Sequence, residues 1–340
     1  MSATLRDVAK LSDVSVSTTS RALNAHINVS EEVRARVLEA AQQLNYTVNY
    51  HARVLKGAAS KTLGLVLYNT ESLTFNAVMT RGIYDLATPN GYSVIVCNSN
   101  AGAEMELQAH QMLRQHKVDG LLINSVQSGP APLQYLLDNQ TPFVLLNRRV
   151  PGIACDYVVV DYQQGEYLAA RHLLELGHHR ILCQLSIPEH PPTIARLAGY
   201  RKALEEFGVE FAPELVVHSA SAANSYQPIV DAMRQLQPRP TAILAYNDET
   251  TIPVFKALSD LDLRIPADVS VVGQNDLSFA PFLIPPLTSV AQSIHEMGRL
   301  GMEILLRKLT LSGRVPWELQ QIVLAPRLNI RLSTAMLHSD

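Results

Sequence analysis

The sequence predicts an α/β protein in three parts: a small all-helical block, then two doubly wound α/β subdomains with a crevice between them. Three observations predict it. The first 45 residues carry short helical patterns and no strand. From Lys61 onward, short β-rich runs alternate with helical segments, the signature of parallel sheets covered by helices. A break at Val150-Pro151-Gly152 then divides those runs, which are too many for one comfortable sheet.

In the first block, Thr4 is placed to cap a helix, with Asp7 three residues on as an Asp variant of the capping box. A turn follows at Ser12-Asp13, and a second helix starts near Ser15. Its inward positions are Thr19, Ala22 and Leu23, spaced i, i+3, i+4. Ser30 caps a third helix with an apolar stripe of Val33, Val37, Ala41 and Leu44. Residues 1–46 therefore read as a three-helix domain with helix–turn–helix character, and residues 47–60 as a hinge linker in which residues 49–56 could form two turns of helix, too short to persist alone in water.

The β-rich runs are Leu63–Leu67, Tyr92–Cys97, Gly120–Ile123 and Phe143–Leu146. A second series follows at Tyr157–Val160, Ile181–Leu185, Leu215–Val217, Ala242–Ala245 and Val269–Val272. The expected division is one subdomain of about 61–156 plus 291–320, and another of about 157–290 plus 321–334. The helix near 294–311 and the run 320–332 are expected to cross back between the halves.

The chain has 340 residues, 47% hydrophobic and 17% charged, enough for a real core. No apolar window is long enough for a membrane span, and the N-terminus lacks a signal core. Cys97, Cys155 and Cys183 are isolated, so a disulfide scaffold or a cysteine-rich metal site is not expected, and a reducing cytoplasm fits. The net charge of −3 hides an asymmetry. Residues 1–60 hold seven Lys/Arg against five Asp/Glu, and the remainder 21 against 26. The basic surplus points to a polyanion partner at one end only.

Ligands of open α/β sheets bind beyond the carboxyl ends of the strands. Here those ends read Tyr68-Asn69, Asn98-Ser99, Asn124-Ser125, Asn147-Arg148, Asp161, Ser186, Asn247-Asp248 and Asn275-Asp276. Any one of them is as well explained as a helix cap or turn residue. As a set they suit a cleft for a small polar ligand. Enzyme chemistry is not supported: G-x-S-x-G, P-loop, H-E-x-x-H and G-x-G-x-x-G motifs are absent. Neither a cofactor nor a metal is expected.

On the second helix the outward positions are Val16, Ser17, Ser20 and Arg21. Small residues let a helix lie close in a major groove, where Arg pairs with guanine. Ser15, Ser17, Thr18 and the helix N-terminus can bond phosphates.

The block DVAKLSDVSVSTTSRALN resembles the lactose/galactose repressor (LacI/GalR) family of transcription regulators. Further segments similar to that family are VSEEVRARVLEAAQQLNY, VDGLLI, HLLELGHHRI, PTAILAYND and IPADVSVVGQND, so the resemblance runs over about residues 4–334. It implies a periplasmic-binding-protein-like core and a homodimer that reads a near-palindromic double-stranded operator. Its DNA-binding set would be Ser15, Val16, Ser17, Thr18, Ser20, Arg21, Asn24 and Leu55, with Leu55 a minor-groove wedge on a hinge helix. Phe75, Asn76, Asp161, Arg196 and Asn247 would bind the effector, with Asn147 and Asn275 where the family commonly holds Asp. An aromatic common near 221–223 is replaced by Ser221 and Ala223, for which Tyr226 is the candidate substitute. Thr19, Val48 and Ala58 also depart from the family pattern. The effector classes are a sugar, a sugar acid or a sugar phosphate, with a nucleobase less favoured. The tail after Thr334 has no heptads, so a dimer is the expected assembly. The rival reading is a solute-binding module of the periplasmic sugar-receptor type that binds no DNA.

Overall fold

The computed structural model describes residues 3–23, 28–46, 59–68, 73–100, 102–124, 129–219, 221–311 and 316–337. The chain divides into two compact units, residues 1–60 and 61–340.

The first unit contains helices α1 (Leu5–Leu11), α2 (Val16–Leu23) and α3 (Glu31–Gln43). Thr4 caps α1: its hydroxyl accepts from the Asp7 amide at 3.4 Å, and the Asp7 carboxylate accepts from the Thr4 amide at 2.8 Å. Asp13 turns the chain between α1 and α2 with φ +53°. The Ser30 hydroxyl accepts from the Val33 amide at the start of α3. Val8, Ala22, Val37, Ala40 and Ala41 form a small core. Thr19 is fully buried beside it, and its hydroxyl donates to the Ser15 carbonyl one turn back at 3.0 Å. That bond is how a helix accommodates Thr in an apolar position.

The second unit holds two six-stranded sheets. The first has the order β11-β5-β4-β3-β1-β2, with β1 (Thr62–Leu67), β2 (Ser93–Asn98), β3 (Gly120–Asn124), β4 (Phe143–Leu146), β5 (Asp156–Val160) and β11 (Gln321–Leu324), all parallel. The second runs β12-β10-β9-β8-β6-β7, with β6 (Ile181–Leu185), β7 (Val216–His218), β8 (Ala242–Leu244), β9 (Ser270–Asn275) and β10 (Thr288–Ala291). In that sheet only β12 (Arg327–Asn329) is antiparallel. All nine expected strands are present with ends shifted by up to three residues, and β10, β11 and β12 are additional.

Helices α4 (Leu73–Ala87), α5 (Ala103–Gln115), α6 (Pro130–Asp138) and α11 (Ile294–Leu311) accompany the first sheet. Helices α7 (Tyr162–Glu175), α8 (Pro191–Glu206), α9 (Tyr226–Gln235) and α10 (Asp248–Asp260) accompany the second. Helix α7 packs on α8 so closely that a Cβ on Gly199 would meet the Gln163 carbonyl oxygen at 2.1 Å.

The strand assignment at the break requires a correction. Tyr157–Val160 and residues 321–324 were expected in the second subdomain, yet β5 pairs with β4, and β11 with β5, in the first sheet. The cause is Asp156, which is fully buried. Its carboxylate accepts from the Lys308 ammonium at 2.6 Å, the Trp317 indole at 2.9 Å and the Gln320 amide at 2.8 Å. These partners come from α11 and the segment entering β11, so the first lobe claims both strands. The chain crosses between lobes after Val160, after Ala291 and between Leu324 and Arg327.

His178, at the end of α7, is buried and holds the C-terminal segment, with its ring nitrogens 3.0 Å from the Thr241 hydroxyl and 3.0 Å from the Ala335 carbonyl. Among the described residues, no helix is long and apolar enough to cross a membrane.

Candidate functional site

Two places merit attention, one in each unit. In the first unit the Ser15 hydroxyl accepts from the Thr18 amide at 3.1 Å and so caps α2. Val16, Ser17 and Arg21 are exposed, Thr18 and Ser20 half-buried, on the side away from buried Thr19 and Ala22. The helix thus presents small side chains and one guanidinium at its surface. Asn24 and Leu55 lie outside the described residues.

In the second unit the carboxyl ends of both sheets open on a cleft of about 570 Å³. That volume is in the range of small-molecule sites. Strand ends contribute Tyr68, Asn124, Asn147, Ser186, Asn247 and Asn275. First turns of helices contribute Thr74, Phe75 and Asn76 from α4, Tyr162 from α7, Pro192 from α8, and Glu249 and Thr250 from α10. The architecture explains this composition, because helix N-termini follow strand C-termini in every βα unit. Five asparagines therefore meet in one cleft, whose lining also includes Tyr68, Phe75 and Phe279.

Arg196 is the cation of this lining and is 3% exposed. Its guanidinium lies 4.6 Å from the Tyr246 ring centroid and 5.1 Å from that of Tyr162. One terminal nitrogen donates to the Tyr246 carbonyl oxygen. The Tyr162 hydroxyl donates to the Asn147 side-chain oxygen, which ties the first lobe to the second across the cleft. His190 meets Tyr68 edge-on at 5.9 Å, and burial lowers its pKa. Behind Arg196, Glu166 is 1% exposed and accepts from the Gln274 amide at 2.7 Å. Burial pushes its pKa up to about 7, against the opposing influence of Arg196.

Of the expected effector residues, Phe75, Asn76, Asn147, Arg196, Asn247 and Asn275 line the cleft. Asp161 does not. Its carboxylate turns back to accept from the Gln164 amide at 2.9 Å and caps α7, leaving its neighbour Tyr162 to face the cleft. Tyr226 does not replace the missing aromatic, because its hydroxyl donates to Asp260 on the exposed side of α9. Ser99, Arg148 and Asp248, also at strand ends, are structural: each is buried and bonded to its own lobe. Sequence reasoning missed Tyr162, Tyr246, His190, Glu249 and Phe279. Tyr162 and Tyr246 carried a signal, as the immediate neighbours of Asp161 and Asn247. Among the described residues, no group of three or more His, Cys, Asp or Glu is placed to hold a metal ion.

Comparison with known proteins gives this geometry its context. Residues 4–49 match the model of bacterial regulatory proteins of the lacI family, and residues 170–334 that of the periplasmic binding protein-like domain. The chain is 31% identical over 343 aligned positions to the HTH-type transcriptional regulator DegA of Bacillus subtilis (strain 168), covering 100% of both chains. The chain belongs to the LacI family. This LacI-family regulator is also 30% identical over 309 residues to the HTH-type transcriptional repressor PurR of Aliivibrio salmonicida (strain LFI1238), covering 90% of this chain and 92% of that one. Among solved structures, the lac repressor dimer bound to operator and the anti-inducer ONPF is similar with a TM-score of 0.86 at 26% identity, over 98% of this chain and 100% of that one. The transcriptional regulator CelR–cellobiose complex is similar with a TM-score of 0.71 at 29% identity, over 97% and 99%. The LacI-family regulator is therefore a DNA-binding transcriptional regulator with a ligand-binding domain of the periplasmic type.

Proposed function

We propose that this LacI-family regulator is a repressor that binds a near-palindromic operator as a homodimer, under control of a small polar effector seated in the inter-lobe cleft. The observation that carries the reading is the cleft itself: side chains from both lobes converge on it, and Tyr162 and Asn147 already bridge it. A ligand bound there changes the relative stability of lobe arrangements by its differential affinity for them. In this reading Val16, Ser17 and Arg21 read the major groove, Ser15, Thr18, Ser20 and Asn24 support them, and Leu55 wedges the minor groove. The relatives named as repressors support the sign of the control.

Removing residues 1–60 tests the whole reading. Operator binding is expected to vanish while ligand-induced stabilisation of the remaining unit survives; retained DNA binding overturns it. For the operator selected from random duplex DNA, Arg21→Ala is expected to cost about 1–3 kcal/mol, roughly a five- to 150-fold loss, and to relax preference at one base pair per half-site. Unchanged affinity in a gel-shift titration would remove Arg21 from the groove.

The dimer has its own support. Phe282 is 82% and Ile284 92% exposed, two large apolar side chains two positions apart that a lone chain would leave in water. Phe282→Asp together with Ile284→Asp is expected to turn a dimer into a monomer in sedimentation and to weaken operator binding in parallel. A variant that stays dimeric places the subunit interface elsewhere.

A further inference from the structure

We propose that the effector carries an anionic group, a carboxylate or a phosphate, that docks against Arg196 in the second turn of α8. The inference rests on the reading of the cleft as the effector site and narrows the chemistry it accepts.

Arg196 is a buried cation with no ion-paired carboxylate among the described residues, and the Glu166 carboxyl that it acts on electrostatically is itself held partly protonated by burial. The Arg196 Nε has no hydrogen-bond partner. Guanidinium buried in protein is ordinarily matched by a carboxylate or phosphate, because removal from water is costly. The faces of Tyr162 and Tyr246 recover only part of that cost.

The carboxylates nearby are committed elsewhere. Glu249, in the cleft lining, accepts from the Thr74 amide at 3.2 Å in the first turn of α4. Glu166 is bonded to Gln274, and Asp161 caps α7.

The start of α8 adds a second, independent observation. Its N-cap, His190, makes no side-chain capping bond, and Pro191 and Pro192 open the helix. Thr193, 2% exposed, has a hydroxyl without a partner, and lies one turn before Arg196 on the same face. An uncapped helix N-terminus favours a negative charge. Arg196, open to a cleft lined by amides, hydroxyls and aromatic rings, with the unpartnered Thr193 hydroxyl buried one turn before it, forms a receptor for an anion attached to a hydroxylated body.

Thermal unfolding of the full chain tests this at fixed ionic strength. The probes are D-glucose, D-glucuronate, glucose-6-phosphate, inorganic phosphate and sulfate. One or more anions are expected to raise Tm in a saturable way where glucose does not. Arg196→Gln is expected to raise the half-saturating concentration at least ten-fold, and Arg196→Lys, which keeps the charge, to raise it less. A response to glucuronate alone assigns a carboxylate, and a response to the phosphates a phosphate group. Absence of a shift with every anion overturns the inference, as does an anion shift undiminished in Arg196→Gln. Stabilisation by glucose alone, abolished by Asn247→Ala, overturns the anion while keeping the cleft as effector site. Stabilisation indifferent to both Arg196→Gln and Asn247→Ala overturns the cleft reading as well.

Discussion

Gly298→Ala is expected to destabilise the larger unit by about 3 kcal/mol, the upper end of ordinary overpacking. Helices α4 and α11 touch backbone to backbone. A Cβ on Gly298 would stand 2.1 Å from the Met79 carbonyl oxygen, and one on Gly82 would stand 2.0 Å from that of His295. The obstacle at both points is backbone, which cannot swing aside as a flexible side chain can. Relief requires the two helices to separate. Met79, Ile83, Met297, Met302 and Leu305 are fully buried in the same layer, so separation opens voids around them. For a unit of this size the change corresponds to a Tm about 8 °C lower. Because α4 also carries Thr74, Phe75 and Asn76, ligand stabilisation should weaken in the same variant. An unchanged denaturation midpoint would show that the helix pair has slack.

The second large effect is a pH dependence. Glu166 has a pKa raised from 4.5 to about 7, chiefly by burial, with Arg196, Cys183 and Gln274 acting in the opposite direction. Between these values the folded chain binds a proton that the unfolded chain has released. Its contribution to stability is therefore full below about pH 4.5 and declines as pH rises through about 7. A displacement of that size corresponds to about 3 kcal/mol. Asp248, raised from 3.8 to about 7 by burial against the bonds from Ser289 and Leu277, has the same sign. Glu166→Gln should accordingly match the parent at low pH and exceed it at pH 8, with Asp248 preserving part of the slope. Urea midpoints measured at both pH values decide it. Identical slopes in the two proteins would mean that Glu166 ionises at its ordinary pKa.

Much of this protein is legible in its sequence because the information is local. The caps at Thr4 and Ser30, the bond from Thr19 to Ser15 and the nine expected strands depend on residues within a turn or on runs of apolar side chains. The cleft was legible for a similar reason: in a βα unit, the polar residue after a strand is carried to the sheet's carboxyl edge whatever its partners are. That rule carries Asn147, Asn247 and Asn275 to the cleft lining, whereas Phe75, Asn76 and Arg196 were expected only from the family resemblance. It fails for Asp161, where a first-turn amide competes for the carboxylate at short range.

What tertiary structure alone decided concerns partners distant along the chain. Strand β10, Thr-Ser-Val-Ala, has little apolar pattern and exists because β9 and β12 flank it. Strands β5 and β11 look alike to either lobe, and Asp156 assigns them through Lys308, Trp317 and Gln320, more than 150 residues away. The unmatched charge of Arg196 is likewise invisible in the sequence. Whether a guanidinium has a carboxylate depends on where every other carboxylate ends up. Local propensity and periodicity set the elements here, whereas sheet membership and charge compensation were settled only when remote segments competed for the same buried hydrogen bonds.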